Sequence, residues 1–429
     1  MKMQFYRIPY FGKIFLTFFL ITTMAGSTFS QGTNDSFGEV SSFVRSLYDS
    51  YDTYKAMQIA TRRFKHDDMM KVLDSLRNAM PAVLSVKQLG VSDEGRSINL
   101  LALGNGKKKI FMWSQMHGDE PTATMGLLDA LSYISGHLET PEVKKIFSET
   151  TLLIIPMLNP DGAERFQRRS VHGIDINRDA KRLQTNEAKI LKAAHDSLSP
   201  EFGFNLHDQE PRYTVGISGK VATIALLAPA VNYEKTDNAV RVRAKKVAAE
   251  LVNIFSPYIA GHISRYDDSY EPRAFGDNIQ TWGTSTVLIE SGGWKDDPEK
   301  MYIRKLNCVA LLGIWYSIAT NVYEKANIAD YESLPQNTQN LYDIIVRGVT
   351  LKYSNGVAPV LVDIGINMEE RVGEDGAIHR SGRIADIGDL STSQTFETID
   401  GSGKYLDGSL VRMERRVDVD TLLKAMKAN

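Results

Sequence analysis

Apolar and polar residues alternate along this chain with two different periods. Over residues 41–80 the apolar positions recur at helical spacing, which predicts amphipathic helices. After Pro81 the apolar runs become short and are bounded by turn residues; we expect 97–103 and 109–113 to form paired strands. Further strands are predicted at 152–156, 202–206 and 286–289, and further helices at 121–135, 186–195, 239–255 and 300–320. Strands that alternate with helices in this way predict an α/β fold with helices on both faces of a sheet.

The composition of the chain changes near residue 326. Residues 326–340 are mostly polar, which predicts a linker between a first domain at 31–325 and a second at 341–429. In the second domain, residues 360–368 alternate with a period of two, and the short runs at 382–388 and 396–400 are rich in strand-forming residues. We therefore expect a small β-rich domain that ends in a helical segment at 419–428.

The first thirty residues have the pattern of an export signal. Lys2, Arg7 and Lys13 precede an uncharged run at 14–26, and small residues follow as far as Ser30. This order is typical of a secretory signal peptide. A helix that crosses a bilayer needs about 20 apolar residues, and this run is shorter. We therefore predict cleavage after Ser30 and an exported protein, periplasmic or secreted, whose mature chain has no membrane span.

Charge and cysteine content exclude several classes of protein. Lys and Arg number 50 against 52 Asp and Glu, so the net charge of −2 gives no indication of a nucleic-acid partner. The single cysteine, Cys308, excludes a disulfide framework within the chain and a zinc site built from several cysteines. Because Cys308 lies in an apolar helical stretch, we expect a buried and unreactive thiol.

Histidines and carboxylates follow three of the predicted strands. His117 and Glu120 lie three residues apart on the turn after the strand that ends near Trp113, so both side chains can reach one metal ion. His207 and Glu290 each end a further apolar strand. Open α/β sheets bind their ligands at the carboxyl ends of the strands, where these groups fall. The sequence therefore predicts a metal site at this edge of the sheet.

Four ordered motifs between residues 94 and 294 resemble those of zinc carboxypeptidases of the carboxypeptidase A-like family. They are His117-Gly118-Asp119-Glu120, Asn159-Pro160-Asp161-Gly162, Gly173-Ile174-Asp175-Ile176-Asn177-Arg178 and Glu290-Ser291-Gly292-Gly293. The resemblance implies a mixed eight-stranded sheet flanked by helices, a catalytic domain at 31–325 and one zinc ion per chain. It also implies a peptide substrate with a free C-terminal carboxylate.

By position within these motifs or in the chain between and beside them, the resemblance implies a role for each of nine side chains. His117, Glu120 and His207 are the implied metal ligands, Glu290 the general base, Arg168 the oxyanion-stabilising arginine, Asn177 and Arg178 the clamp for the terminal carboxylate, Arg96 a more distant substrate-binding residue and Asp175 the partner that orients His117. Two imidazoles and one carboxylate leave zinc a fourth position for water, the ligand set known for carboxypeptidase A itself. Arg169 is a rival for Arg168, and Tyr266 and Tyr270 lie near the expected place of a substrate tyrosine.

Two other functions stay open at this point. Aspartoacylase and succinylglutamate desuccinylase share a His-Gly-x-Glu block and an Asn-Arg clamp, so a zinc-dependent deacylase of N-acyl amino acids is an alternative. The motifs at 159–162 and 290–293 favour the peptidase. A secreted binding module with a vestigial metal site is the third hypothesis, and Glu290 argues against it because binding alone does not need a base. Asp179 and Ala180 after Arg178 differ from the family pattern and leave the substrate undetermined.

Overall fold

The computed structural model describes residues 35–354, 356–373 and 377–428; the predicted signal peptide at 1–30 lies outside them. Eight strands of this described chain form a mixed sheet in the order β1-β2-β4-β3-β5-β9-β7-β8. Their bounds are β1 Ser85–Val91, β2 Ser97–Leu103, β3 Lys108–Ser114, β4 Thr150–Ile155, β5 Phe202–Asp208, β7 Ile224–Leu227, β8 Ile263–Arg265 and β9 Ser285–Ser291. The predicted α/β class and the mixed eight-stranded sheet are confirmed.

One predicted pairing is wrong. β2 and β3 do not pair with each other, because β4 lies between them, antiparallel to β2 and parallel to β3. The connecting turn explains this arrangement. A Cβ on Gly106 would lie 1.8 Å from the backbone carbon of Glu149, and the Gly106 amide donates to Thr150 O at 3.1 Å. The turn is therefore packed against the start of β4, and the strand that returns from the helices fills the space beside β2.

Helices cover both faces of this sheet. Along β3 the side chains alternate, with Ile110 and Met112 in one buried cluster and Phe111 and Trp113 in the other. Packed on the first side are α1 Asp35–Ser50, α2 His66–Ala79, α3 Thr122–Gly136, α4 Pro141–Glu149, α7 Ala239–Ile259 and α9 Met301–Thr320, and on the second α6 Asn186–Leu198 and α8 Phe275–Thr281. α5 Pro160–Arg165 lies beside α2. Cys308 is fully buried in α9, as predicted.

Helix starts follow local chemistry. The Thr185 side chain accepts from the amide of Ala188 at the start of α6, and Asn238 does the same for Arg241 in α7. Such side-chain caps satisfy amides that have no partner inside the helix. Each helix among the described residues is too short or too polar to cross a bilayer.

Residues 326–340, predicted as a linker, contain a short helix, α10 Ile328–Glu332, and a strand, β10 Asn337–Gln339. β10 pairs antiparallel with β6 Tyr213–Val215, which follows β5 in the chain. The predicted domain boundaries stay predictions.

The remaining described residues form a second, seven-stranded sheet, called here the C-terminal sheet. Its elements are β11 Leu341–Lys352, β12 Val360–Val372, β13 Ile378–Gly388, β14 Gln394–Asp400, β15 Lys404–Asp407, β16 Arg416–Val417 and β17 Lys427–Ala428, with the helix α11 Val419–Lys424. The strands predicted at 360–368, 382–388 and 396–400 are confirmed by β12, β13 and β14. A separate core of residues such as Val346, Ile364 and Ile384 holds this sheet together.

Candidate metal centre

Three neighbouring parallel strands bring the predicted ligands to one edge of the first sheet. His117 follows the end of β3, His207 lies near the end of β5, and Glu290 lies near the end of β9. His207 and Glu290 are paired in register on adjacent strands, which lie about 4.8 Å apart in a sheet. The sequence position of each group at a strand end therefore becomes proximity in space.

A close approach of two backbones shapes the turn that carries His117. A Cβ on Gly118 would lie 2.0 Å from the carbonyl carbon of Gly162, so a larger residue cannot be accommodated without moving one of the two turns. Gln115 has a left-handed φ of 51° and its side chain donates to Gly118 O at 3.1 Å. The Asn159 side chain accepts from the Gly162 amide at 2.9 Å and so begins α5. Two of the sequence motifs thus form a single packed unit.

His117, Glu120 and His207 are buried and their metal-binding atoms converge. His117 Nδ1 lies 2.8 Å from Glu120 Oε1, and His207 Nδ1 lies 2.7 Å from Glu120 Oε2. One ligand atom from each residue lies within 4.8 Å of the others. Ligand atoms on a tetrahedral zinc ion lie about 3.3 Å apart, given Zn–N and Zn–O distances of about 2.0–2.2 Å. The donor set therefore fits zinc with small side-chain movements.

The second nitrogen of His117 is held by Asp175. His117 Nε2 lies 3.0 Å from Asp175 Oδ1, and with the proton assigned to Nε2 the imidazole presents a lone pair at Nδ1. Burial works to raise the pKa of Asp175, but the hydrogen bond and charge of His117, with the charge of Arg168, hold that pKa below its ordinary value. The carboxylate therefore stays ionised and orients the imidazole. Burial lowers the pKa of His207, which favours the neutral form that binds a metal.

Glu290 is buried beside this cluster and is incompletely satisfied. Its side chain is 7% exposed, and no described residue forms a hydrogen bond with Oε2. Burial raises the pKa of Glu290 well above its ordinary value, and the negative charge of Glu120 raises it further. Carboxyl groups whose pKa is shifted in this way by burial and a neighbouring like charge are frequent among catalytic acids and bases.

The structure distinguishes between the two candidate arginines. Arg168 Nη1 donates to Glu120 Oε1 at 2.9 Å and Nη2 donates to Asp175 Oδ2 at 3.1 Å. Arg169 is exposed and donates to Gly173 O. Arg168 is therefore part of the cluster, while its 43% exposed side chain also lines the adjoining cleft.

The predicted substrate clamp is only partly brought to the cluster. Asn177 Nδ2 lies 3.4 Å from His207 Nε2, and Asn177 Oδ1 accepts from the Phe275 amide at 2.9 Å. Arg178 donates to the backbone oxygen of Asn177 at 2.8 Å and stays 39% exposed. Arg96 donates to Glu94 and to Asp161 at 2.7 Å, which keeps it outside the ligand cluster.

Of the two candidate tyrosines, Tyr266 interacts electrostatically with the carboxylates of the cluster. Burial raises the pKa of Tyr266, and the charge of Glu290 contributes to the shift. Tyr270 instead packs edge-to-face on Tyr233, with ring centroids 5.1 Å apart.

A buried ion pair beside the ligands was not predicted. Asp208 Oδ2 accepts from Lys300 Nζ at 3.1 Å, and the Asp208 amide donates to Glu120 Oε2 at 3.2 Å. Lys300 also donates to Ser291 O at 2.9 Å and has a left-handed φ of 52°. Lys300 is 93 residues from His207 and belongs to no motif, so the sequence holds no signal for it.

Known proteins match the part of the chain that carries these residues. Residues 69–212 match the family described as zinc carboxypeptidase. Carboxypeptidase 2 of Trichophyton tonsurans is 26% identical over 171 residues, which cover 37% of this chain and 31% of the relative. Carboxypeptidase M of Mus musculus is 28% identical over 134 residues, covering 27% of this chain and 30% of the relative. The chain thus spans about a third of the length of these curated relatives.

The fold is also similar to that of solved carboxypeptidases. A Burkholderia mallei protein assigned as a carboxypeptidase has a TM-score of 0.50 and 18% identity, with 60% of this chain and 68% of that chain covered. A metallo-carboxypeptidase from Burkholderia cenocepacia has a TM-score of 0.49 and 17% identity, with 61% and 70% covered. Residues 69–212 thus match a zinc carboxypeptidase domain, and the resemblance drawn from the motifs is confirmed.

Proposed function

We propose that this protein is an exported zinc-dependent carboxypeptidase that hydrolyses the C-terminal peptide bond of a peptide. One observation carries the proposal: His117, Glu120 and His207 converge beside Glu290, whose buried Oε2 has no hydrogen-bond partner among the described residues, in a chain whose residues 69–212 match zinc carboxypeptidases. The pattern of residues 1–30 supports export.

His117, Glu120 and His207 would hold the metal. A bound zinc ion supplies a Lewis acid for the scissile carbonyl and lowers the pKa of water toward about 7. Asp175 keeps the His117 tautomer that binds metal, and Asp208 holds Glu120 through its backbone amide. These partners keep the ligand side chains in place before substrate arrives.

Glu290 acts as the general base. Its Oε2 takes a proton from the attacking water as the water oxygen bonds to the carbonyl carbon. When the carbon–nitrogen bond breaks, the same carboxyl group gives that proton to the leaving amine. The raised pKa of Glu290 supports this role, because a group that both accepts and donates a proton works best with a pKa near the working pH.

Arg168 and Arg178 bind the two negatively charged groups of the reacting substrate, the developing oxyanion and the terminal carboxylate. Arg168 exchanges part of its contact with Glu120 and Asp175 for the developing oxyanion. Arg178, with Asn177, binds the terminal carboxylate, for which the planar guanidinium fork is suited. Arg96 binds the substrate at a position farther from the scissile bond. Because Arg178 is anchored to Glu271 at 3.4 Å, its guanidinium is already oriented before substrate binds.

The test uses the purified protein and two peptides of the same sequence, one with a free C-terminus and one amidated. We expect loss of the terminal residue from the free peptide only, abolition by a chelator, and recovery on addition of zinc. No metal-dependent loss would contradict the proposal. Release of an acyl acid from N-acyl amino acids, with peptides untouched, would favour the deacylase. Tight zinc binding with neither reaction would favour a binding module.

A further inference from the structure

The metal centre opens into a cleft whose opposite wall is the C-terminal sheet. The cleft has a volume of about 1450 Å³. On one side it is lined by Glu120, Arg168 and Asp208 from the metal centre. On the other side it is lined by residues of β12, β14 and α11, among them Met368, Glu370, Phe396, Glu397, Asp420 and Leu423. Two parts of the chain that are far apart in sequence therefore enclose one space.

Buried ion pairs fix this wall in place. Arg62, which precedes α2, donates to both carboxylate oxygens of Glu370 at 2.8 and 2.9 Å, and its side chain is 7% exposed. Arg212, five residues after His207, donates to Asp343 Oδ2 at 2.8 Å and to Met368 O at 3.1 Å. Both bonds to Glu370 come from the one nitrogen Nη2 of Arg62, and with the contacts of Arg212 they connect β11 and β12 to the rest of the chain through two largely buried arginines. The ion pairs therefore hold the C-terminal sheet in a fixed position beside the metal centre.

The cleft also continues beyond the metal centre. A recess of about 370 Å³ is lined by residues of β13, β16 and α11, and shares Met368, Arg380, Val419 and Asp420 with the cleft. Sites for single small molecules usually have about 300–1,000 Å³. The cleft alone exceeds that range, so one amino acid with its acyl group would leave most of it unfilled. Its lining of apolar side chains between charged ones suits a chain of mixed residues.

We propose that the C-terminal sheet forms half of the substrate-binding cleft and binds the peptide residues that precede the scissile bond. The substrate class is then an extended peptide of several residues, in preference to a dipeptide or an N-acyl amino acid. This inference rests on the proposed carboxypeptidase activity. Binding energy from residues remote from the reacting bond speeds the reaction of the longer substrate, so a shortened substrate reacts more slowly.

The first test compares an N-acetylated dipeptide with an octapeptide that ends in the same two residues. Phe396→Ala removes a half-buried aromatic side chain from the cleft wall, and Glu397→Lys reverses an exposed charge beside it. We expect wild-type kcat/KM to be higher for the octapeptide. Phe396→Ala should lower this octapeptide-to-dipeptide ratio by about tenfold, as for loss of an aromatic contact in an interface. Glu397→Lys should lower it by about threefold, as expected for an exposed charge, and the dipeptide value should stay unchanged in both variants.

Matched controls lie outside the cleft. Leu361→Ala truncates a side chain of β12 that is 69% exposed, and Glu234→Lys makes the same charge change at an exposed residue of the first domain. Both controls should keep the wild-type ratio. If the cleft variants also keep it, or if they slow both peptides equally, the C-terminal sheet does not bind substrate and the inference is overturned.

A second readout does not require hydrolysis. The octapeptide, with a photoreactive benzoylphenylalanine at its first position, is irradiated with the full-length zinc-loaded protein and the labelled residues are mapped by mass spectrometry. Labelling within 341–428 that is competed by unlabelled octapeptide supports the inference even if no bond is cleaved. Labelling confined to other residues overturns it, whereas absent hydrolysis with labelling at 341–428 overturns only the proposed activity.

Discussion

Two buried clusters in this protein use the same kinds of charged side chain and differ in how completely those side chains are satisfied. In the first, between α3 and α9, Asp129 accepts from Arg304 Nη2 at 2.6 Å, from Arg304 Nε at 2.7 Å and from the Tyr51 hydroxyl at 2.6 Å. Arg304 also donates hydrogen bonds to the backbone oxygens of Ala56 and Ile59. We call this cluster closed, because each charge has its partner among the described residues and neither Asp129 nor Arg304 lines the cleft beside the metal ligands.

The metal centre is the opposite case. Both oxygens of Glu120 are shared among His117, His207 and Arg168, while Glu290 Oε2 has no hydrogen-bond partner in the described chain. Carboxylates outnumber the cations around them, and the cluster faces an open cleft. Buried charges that compensate one another therefore indicate a structural role. An uncompensated negative charge that faces a cleft indicates a site for a cation and for chemistry.

The largest expected effect is on the open cluster. Glu290→Gln removes the base and keeps the shape of the side chain, so we expect kcat to fall by about 10⁴-fold, the upper range for general base catalysis. Zinc content, measured by elemental analysis, should be unchanged, because Glu290 is not one of the converging ligands. Activity within tenfold of wild type would remove Glu290 from the mechanism.

The same type of change in the closed cluster should affect stability and leave zinc binding alone. Arg304→Met leaves Asp129 as a buried charge without its cation, and we expect the free energy of unfolding to fall by about 3–5 kcal/mol in urea denaturation. Zinc content and kcat/KM at 25 °C should stay at wild-type values. The double variant Arg304→Met with Asp129→Leu should recover most of the lost free energy of unfolding. A double variant as unstable as the single one would show that the unpaired charge of Asp129 is not the cause of the loss.

Glu187 tests a third combination, an uncompensated buried carboxyl group that does not line the cleft. Burial raises its pKa from 4.5 to about 7. The folded state therefore binds this proton more tightly than the unfolded state, so the stability that Glu187 contributes falls as pH rises from about 4.5 to 7 and stays low above that. Glu187→Gln should raise the free energy of unfolding at pH 8 by about 3 kcal/mol and have little effect at pH 4.5.

The check is urea denaturation of wild type and variant at both pH values, with Glu39→Gln at an exposed position of α1 as the matched control. Equal stability of Glu187→Gln and wild type at pH 8 would show that Glu187 is solvated in the folded protein.

The smallest expected effect concerns Asp175, the hydrogen-bond partner of the metal ligand His117. Asp175→Asn keeps an oxygen near His117 Nε2 but removes the charge, so we expect zinc affinity to fall by about 10- to 100-fold. Competition with a chromogenic chelator measures this directly. A dissociation constant within twofold of wild type would mean that Asp175 acts only as the cap of the turn at Ile176–Arg178.

Short-range patterns were sufficient to predict that His117, Glu120 and His207 converge, because each of these residues ends or directly follows a predicted strand. The spacing of His117 and Glu120 and the strand-end positions of His207 and Glu290 place these groups at one sheet edge without knowledge of the strand order. The insertion of β4 between β2 and β3 could not be predicted, since it depends on packing against the turn at Gly106. The choice of Arg168 over Arg169 came from the family resemblance, because the spacing within this loop does not by itself separate two adjacent arginines.

The C-terminal sheet was predicted as a separate β region, but its place beside the metal centre was not. Arg62 and Glu370 are 308 residues apart, and neither belongs to a motif. Ion pairs over such a distance follow from tertiary packing alone. The charged residues of the cleft wall have no periodicity that separates them from an ordinary solvated surface.

The contact between Gly118 and Gly162 limits how this centre can be transplanted. A protein engineer who grafts only the histidine-and-glutamate turn onto another scaffold would lose the second turn against which it is seated, and any host residue with a side chain at that position would displace the graft. The smallest portable unit that carries His117 and Glu120 is therefore the pair of turns with both glycines, to which the host must add the third ligand in the place of His207, and libraries that diversify either turn should leave the two glycines constant.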